Sequence, residues 1–268
     1  MVLARRKPRV CGLVLVLLIS TSCWADAAWH LLSAEPARSP RQDAAAIPQI
    51  FDGVPTADYP AVAGVAVLLD GGLVASCTGT LISPSVVLTA AHCVAIGPLA
   101  IAAVFFPPGS STGVQYDVVA YDIEPEFSSS VLAVADIALL HLARPVAGVT
   151  PMPLATRTPR PGARGIIVGY GEDETGRFGL KEFGTIRLKK CPRAFPAAGL
   201  VRRQLSSSLC WRPKQRHHDT CHGDSGGPLL VKSALAGVTS GGYPDCPGIL
   251  SWDTDVVPFL SWINAHLQ

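Results

Sequence analysis

Only about 40 residues follow Ser225, too few for the βα units that a parallel α/β sheet would still have to add. This matters because Ser225 sits in Cys221-His222-Gly223-Asp224-Ser225-Gly226-Gly227-Pro228, a stretch in which a serine follows an acid and is ringed by glycines. Without a Cβ at those glycines, backbone N–H groups can approach an atom bonded to the serine oxygen, as an oxyanion site requires. The pattern Gly223-x-Ser225-x-Gly227 also fits the nucleophile elbow of α/β-hydrolases, in which an acid and then a histidine follow the serine. Here the only later histidine is His266, near the last residue. Upstream, Leu88-Thr89-Ala90-Ala91-His92-Cys93 and Asp136-Ile137-Ala138-Leu139-Leu140 supply a histidine and an aspartate, in the order His, Asp, Ser.

The remaining pattern is one of short strands. Val65 to Leu69, the turn Asp70-Gly71-Gly72 and Leu73 to Ser83 read as a hairpin, because the glycines tolerate positive φ. Val86 to Leu88, Val118 to Ile123 and Asp136 to Leu142 continue the series, punctuated at Pro107-Pro108-Gly109, Gly148 to Pro151 and Pro159 to Gly162. Many short strands at this spacing predict barrels or sandwiches. Phe259, Trp262, Ile263 and Leu267 fall at helical spacing and predict one closing helix. A hydrophobic content of 49% over 268 residues supplies a sizeable core, and a net charge of +2 without basic runs beyond the N-terminus excludes a nucleic-acid binder.

Residues 1–27 read as an export signal: Arg5, Arg6, Lys7 and Arg9, an apolar run from Val10 to Ile19, then Ala25-Asp26-Ala27 as a small-x-small cleavage site. The run is short for a transmembrane helix. Ser20, where acylation at Cys23 would call for an aliphatic residue, disfavours a lipid anchor. The expected product is therefore secreted or periplasmic, with no stable membrane insertion. Residues 28–49, rich in Ala, Pro, Ser and Arg, read as a propeptide or linker. Signal removal leaves Cys77, Cys93, Cys191, Cys210, Cys221 and Cys246, an even set that predicts disulfides in an exported chain, with 15 pairings open.

Together the three blocks resemble those of the chymotrypsin/trypsin-like serine proteases, from Ile50 to Gln268. The resemblance implies an all-β fold of two packed antiparallel six-stranded β-barrels and a C-terminal helix on the second, within a protease domain at 50–268. Gly169-Tyr170-Gly171 resembles the motif opening the second barrel, which places the boundary near residues 145–165. It implies the disulfides Cys77–Cys93, Cys191–Cys210 and Cys221–Cys246. Ile50-Phe51-Asp52-Gly53 resembles the family's mature N-terminus, whose freed α-amino group pairs with the acid before the nucleophile, here Asp224. Asp52 departs from the usual glycine. Gln49 is unsuited to an Arg- or Lys-specific activator, so a different protease is expected to release Ile50.

The residues carry the chemistry. The Ser225 hydroxyl needs a base, and His92, mostly neutral above pH 7, is the one candidate. Asp136 would hold its tautomer, and the N–H groups of Gly223 and Ser225 would form the oxyanion hole. By resemblance, Ser240 bonds the triad aspartate, Gly242 pairs with extended substrate, and Asp219 lies at the base of the S1 pocket, implying cleavage after Arg or Lys. Either Gly248 or Ser251 stands on the pocket's far wall, Asp245 is a possible extra charge, and Gly241 replaces an aromatic shelf. His217, His218 and His222 beside Cys221 match no zinc spacing, and neither metal nor cofactor is expected. The expected partners are protein or peptide substrates, an activating protease and protein inhibitors, with the chain a monomer. Two other readings stand: a catalytically silent binding protein on this scaffold, and an esterase or lipase using the same three groups.

Overall fold

The structure is a computed structural model that describes residues 50–72, 74–106, 112–128, 134–171, 179–194, 205–213, 218–243 and 246–267. The signal (1–27), the propeptide or linker (28–49, with Gln49), Leu73, the Pro107-Pro108-Gly109 turn, His217 and Asp245 lie outside the described residues.

The first unit is a closed antiparallel barrel of β2 (Val62–Leu68), β3 (Val74–Ser83), β4 (Val86–Thr89), β5 (Ala100–Phe105), β6 (Val114–Ile123) and β7 (Ala138–Leu142), ordered β2-β3-β4-β7-β6-β5. The β2–β3 hairpin turns at Gly71 and Gly72, both at positive φ. Val62, Val65, Val67, Leu81, Val87, Leu88, Leu139 and Leu140 are wholly buried and belong to its core cluster. Neighbours such as Val87 and Leu88, or Leu139 and Leu140, point to opposite faces, so these strands are covered on both sides.

After β7 the chain runs to β8 (Arg164–Gly169), and β9 (Glu182–Arg187), β10 (Ser208–Trp211), β11 (Pro228–Val231), β12 (Ala234–Tyr243) and β13 (Leu250–Asp255) complete the second unit. The two-residue β1 (Val54–Pro55) pairs with β9, so the sheet has seven strands in the order β1-β9-β8-β11-β12-β13-β10. This sheet rolls rather than closing by a full ladder: beyond β9, Lys189 bridges Cys210 of β10, its N–H 2.7 Å from the Cys210 carbonyl. Ile50, Ile167, Leu209, Trp211, Leu229 and Ala236 form its inner cluster.

Helix α1 (Leu260–Ala265) is shorter than the periodicity predicts, one and a half turns preceded by a 3-10 turn at Val257–Phe259. Its buried Ile263 joins the cluster that runs from the first barrel's interior to Leu230, Leu235 and Val238 of the second unit. The helix therefore seals the junction instead of resting on the second unit alone. Disulfides join Cys77 to Cys93, Cys191 to Cys210 and Cys221 to Cys246.

Candidate active site

His92 lies in a 3-10 turn, Ala91–Cys93, that the chain forms on leaving β4. Asp136 lies just before β7, after Ala135 at φ 53°, and is wholly buried. Because β4 and β7 are neighbours, the two side chains meet: His92 Nδ1–H donates to Asp136 Oδ2 at 2.7 Å, and the His92 backbone N–H donates to Oδ1 at 2.8 Å. Ser240 of β12 donates its hydroxyl to Oδ2, also at 2.8 Å. Three donors satisfy a carboxylate that burial alone would leave strongly unfavourable. Burial pulls the imidazole pKa down, but the Asp136 hydrogen bond and charge outweigh it, and the net shift is upward from the ordinary 6.5.

Ser225 comes from the loop between Cys221 and β11, beside the same turn, with the Cys93 sulfur 3.7 Å from its carbonyl oxygen. Its hydroxyl makes no hydrogen bond to His92 among the described residues, a looseness common before substrate binds. The loop's geometry depends on Gly223 at φ 87° and Gly226 at φ 84°. At Gly226 a Cβ would also strike the Thr89 hydroxyl and the Thr78 carbonyl. The N–H groups of Asp224, Gly226 and Gly227 are spent on Cys221, Thr239 and Asp224 carbonyls at 3.1, 2.8 and 2.8 Å. Those of Gly223 and Ser225 have no acceptor among the described residues, which leaves this pair free for a ligand oxygen.

One residue that sequence reasoning missed holds this loop. Thr78 of β3, wholly buried, donates its N–H to the Ser225 carbonyl at 2.8 Å and its hydroxyl to the Gly223 carbonyl at 2.9 Å. The same hydroxyl accepts from the Tyr170 N–H at 3.1 Å, and Thr89 Oγ1 donates to the Thr78 carbonyl at 2.8 Å. A threonine after Cys77 carries no sequence signal for this work, since threonine is ordinary in strands.

Asp224 is wholly buried, and its oxygens accept from the N–H groups of Gly171 and Cys221, each at 2.8 Å. A Cβ at Gly169 or Gly171 would collide with its carboxyl group, which is the physical reason for the Gly169-Tyr170-Gly171 spacing. Burial pushes the Asp224 pKa well up, the two N–H bonds pull it down, and the charges of Glu182 and Asp219 raise it further. Ile50 is buried in the inner cluster of the second sheet, and Phe51 pairs with Asp219 through N–H to carbonyl bonds of 2.9 and 3.3 Å.

Asp219 too is wholly buried. Ser251 Oγ donates to Oδ1 at 2.6 Å, the Thr220 N–H to Oδ1 at 3.0 Å and the Gly248 N–H to Oδ2 at 2.7 Å. Both wall candidates thus touch the acid, but Ser251 is the one directly opposite Gly242 across β12 and β13. Burial raises the Asp219 pKa, and these donors offset part of the rise. A cleft of about 170 Å³ beside Ser225 is lined by Thr220, Cys221, His222, Thr239, Gly241 and Gly242, together with Cys246. The position left by the missing shelf at Gly241 is occupied from behind by Trp252, whose ring lies 2.6 Å from where a Cβ would stand. Cys77, His92 and Cys93 cluster within 4.8 Å, but both sulfurs are in one disulfide and offer no thiolate to a metal.

A closed six-stranded barrel, a rolled second sheet and one short closing helix define a class by fold, that of the chymotrypsin-like serine proteases. The trypsin family model matches residues 50–263, and the chain belongs to that family as a serine endopeptidase. It is 31% identical over 210 residues to a trypsin of Phaedon cochleariae, covering 72% of this chain and 79% of the relative. It is 32% identical over 217 residues to the vitellin-degrading protease of Bombyx mori, covering 72% and 76%. Among solved structures, GrC superposes with a TM-score of 0.69 at 25% identity, covering 80% of this chain and 97% of that one. Mouse neuropsin superposes with a TM-score of 0.66 at 25% identity, covering 81% and 99%.

Proposed function

We propose that this chain is an exported endopeptidase that hydrolyses peptide bonds after Lys or Arg through an acyl-enzyme, with His92, Asp136 and Ser225 as its triad. The observation that carries the reading is the conjunction of a His92–Asp136–Ser240 hydrogen-bonded set with a serine loop whose Gly223 and Ser225 N–H groups have no acceptor among the described residues. Because Nδ1–H is committed to Asp136, the free Nε2 is the basic nitrogen, and it takes the Ser225 proton as Oγ attacks the substrate carbonyl. The oxyanion that forms is held by the Gly223 and Ser225 N–H groups. His92 then protonates the departing amine, and water repeats the sequence to release the acid. An extended substrate adds as a strand along Gly242.

Asp219 supports the basic preference: a cation entering over a buried acid gains a charge-assisted contact, while an apolar side chain would leave that acid unpaired. A second reading, a non-basic preference, has its own support, since Ser251 and Gly248 already bond the carboxylate and Asp219 is absent from the lining of the cleft. Activation proceeds by cleavage before Ile50, whose ammonium joins Asp224; the domain limits 28–49 and 50–268 belong to the same reading. Export rests on the 1–27 segment, and among the described residues no helix is long and apolar enough to cross a membrane. The test is kcat/KM on blocked peptide amides ending in Lys, Arg, Phe, Leu or Ala, with Ser225→Ala beside the wild type and the mature N-terminus read. Turnover of Lys and Arg amides that is lost in Ser225→Ala is the expected result. Turnover led by Leu or Ala transfers the pocket to the second reading. No turnover from a chain that starts at Ile50 leaves a binding protein.

A further inference from the structure

The outer face of the second sheet holds an open groove of about 650 Å³ that shares no lining residue with the cleft at Ser225. Its composition follows from the register. Arg164 lies directly opposite Arg187 across β8 and β9, Ile166 opposite Thr185, and Leu230 of β11 opposite Ile166. Directly opposed residues, and residues two apart on a strand, share a face. Lys232, in the turn after β11 at φ 52°, lines the same groove. The groove therefore carries a cationic row, Arg164 and Arg187 opposed across the strands with Lys232 at the turn, beside Leu230, Ile166 and Thr185. Tyr59 and Met152, from outside the sheet, also line it, with Gly165, Ile186 and Ser233.

Two arginines directly opposed across strands repel, so this row costs stability as it stands. Among the described residues the ion pairs are His92–Asp136 and His141–Asp122, and neither relieves the row. Arg187 spends one N–H on the Gly162 carbonyl at 2.9 Å, which leaves most of its fork open. Residues 50–268 carry about as many acids as bases, so the row is a local concentration of charge. The groove's floor beside these cations is apolar: Leu230, only 4% exposed, packs with Ile166 and Met152 in the core and shows its edge to the groove. The volume lies within the roughly 300–1,000 Å³ of small-molecule sites, while a stable protein partner needs about 800 Å² on each side.

We propose that this groove binds a small amphiphilic anion, a single alkyl chain ending in a carboxylate, with the head group on Arg164, Arg187 and Lys232 and the chain over Ile166, Leu230 and Met152. The test is calorimetric titration of the purified full chain with dodecanoate below its micelle concentration, with dodecanol, sodium sulfate and an acidic peptide as comparison probes. One saturable dodecanoate site is expected, with dodecanol at least about tenfold weaker, and with Arg164→Gln and Arg187→Gln each weakening binding about tenfold. Because either substitution removes the repulsion, the ligand-free melting temperature should hold or rise, which separates lost binding from lost folding. Absent dodecanoate binding, equal binding of dodecanol, equal binding of sulfate alone, or indifference to both substitutions would overturn the proposal. Binding of the acidic peptide alone would overturn it in favour of a protein partner.

Discussion

Removing the Thr78 hydroxyl tests whether the serine loop is aimed by the first barrel. Thr78→Val keeps the side-chain shape and the backbone bonds to Ser225 and Thr89, but strips the Gly223 carbonyl and the Tyr170 N–H of their common partner. Both groups are buried, and each unpaired group costs about 1–3 kcal/mol, so a loss of about 2–6 kcal/mol is expected. For a domain of this size that is a fall in Tm of about 4–24 °C. The same carbonyl bond holds the turn whose Gly223 and Ser225 N–H groups are proposed to face the developing oxyanion. Deleting an oxyanion donor costs about 10²–10³ in kcat, and misaiming two of them should cost about 10–10² with KM little changed. Steady-state kinetics on a blocked Lys or Arg amide, beside thermal unfolding, reads both effects. Thr78→Ser is the control: it keeps the hydroxyl and loses only the methyl, which packs 3.2 Å from the Cβ position of Gly227. A Thr78→Val enzyme with wild-type kcat and a lowered Tm would show that the hydroxyl serves folding alone. Equal losses in Thr78→Ser would assign the effect to packing.

Four further outcomes are expected. Asp136 holds the His92 pKa above 6.5 against the pull of burial, so the acid limb of kcat/KM should lie above that value. Asp136→Asn should move the limb down and cost about 10⁴ in kcat; by linkage, the stability gained from protonated His92 is full below 6.5 and lost as pH rises through the raised pKa. Gly171→Ala would put a Cβ 2.6 Å from the Asp224 carboxyl carbon, and should abolish activity and lower Tm without touching any triad residue. The raised Asp224 pKa means that the uncleaved fold holds a proton that the unfolded chain has released, so precursor stability should fall as pH rises above the ordinary carboxylate range. Cleavage before Ile50 should flatten that slope, as denaturant titrations of the two forms between pH 4 and 8 would show. Ser251→Gly should uncover Asp219 and raise kcat/KM for Arg relative to Leu amides at least about tenfold, and no change would place Asp219 out of substrate reach.

What the sequence disclosed and what it withheld divide along a physical line. The hairpin at Gly71 and Gly72, the strand entering His92 and the glycine-ringed serine loop were legible because each depends on local backbone freedom or strict alternation, which leave marks in adjacent residues. The chain order of His92, Asp136 and Ser225 was informative for the same reason: each sits at the end of a short element with its own signature. Thr78 left no such mark, because its work is done across 145 residues of separation, by a hydroxyl that looks like any strand threonine until the barrels are closed. The contacts of Gly248 and Ser251 with Asp219 were also out of reach of the sequence: one is made by a backbone N–H and the other by a hydroxyl placed by the register of β12 against β13, which shifts between Thr239 and Gly241. The cationic row is the most instructive case: Lys232, Arg164 and Arg187 are scattered in sequence and ordinary one by one. Only the pairing of β8 with β9 puts Arg164 directly opposite Arg187, a like-charge arrangement that no local pattern in the sequence marks.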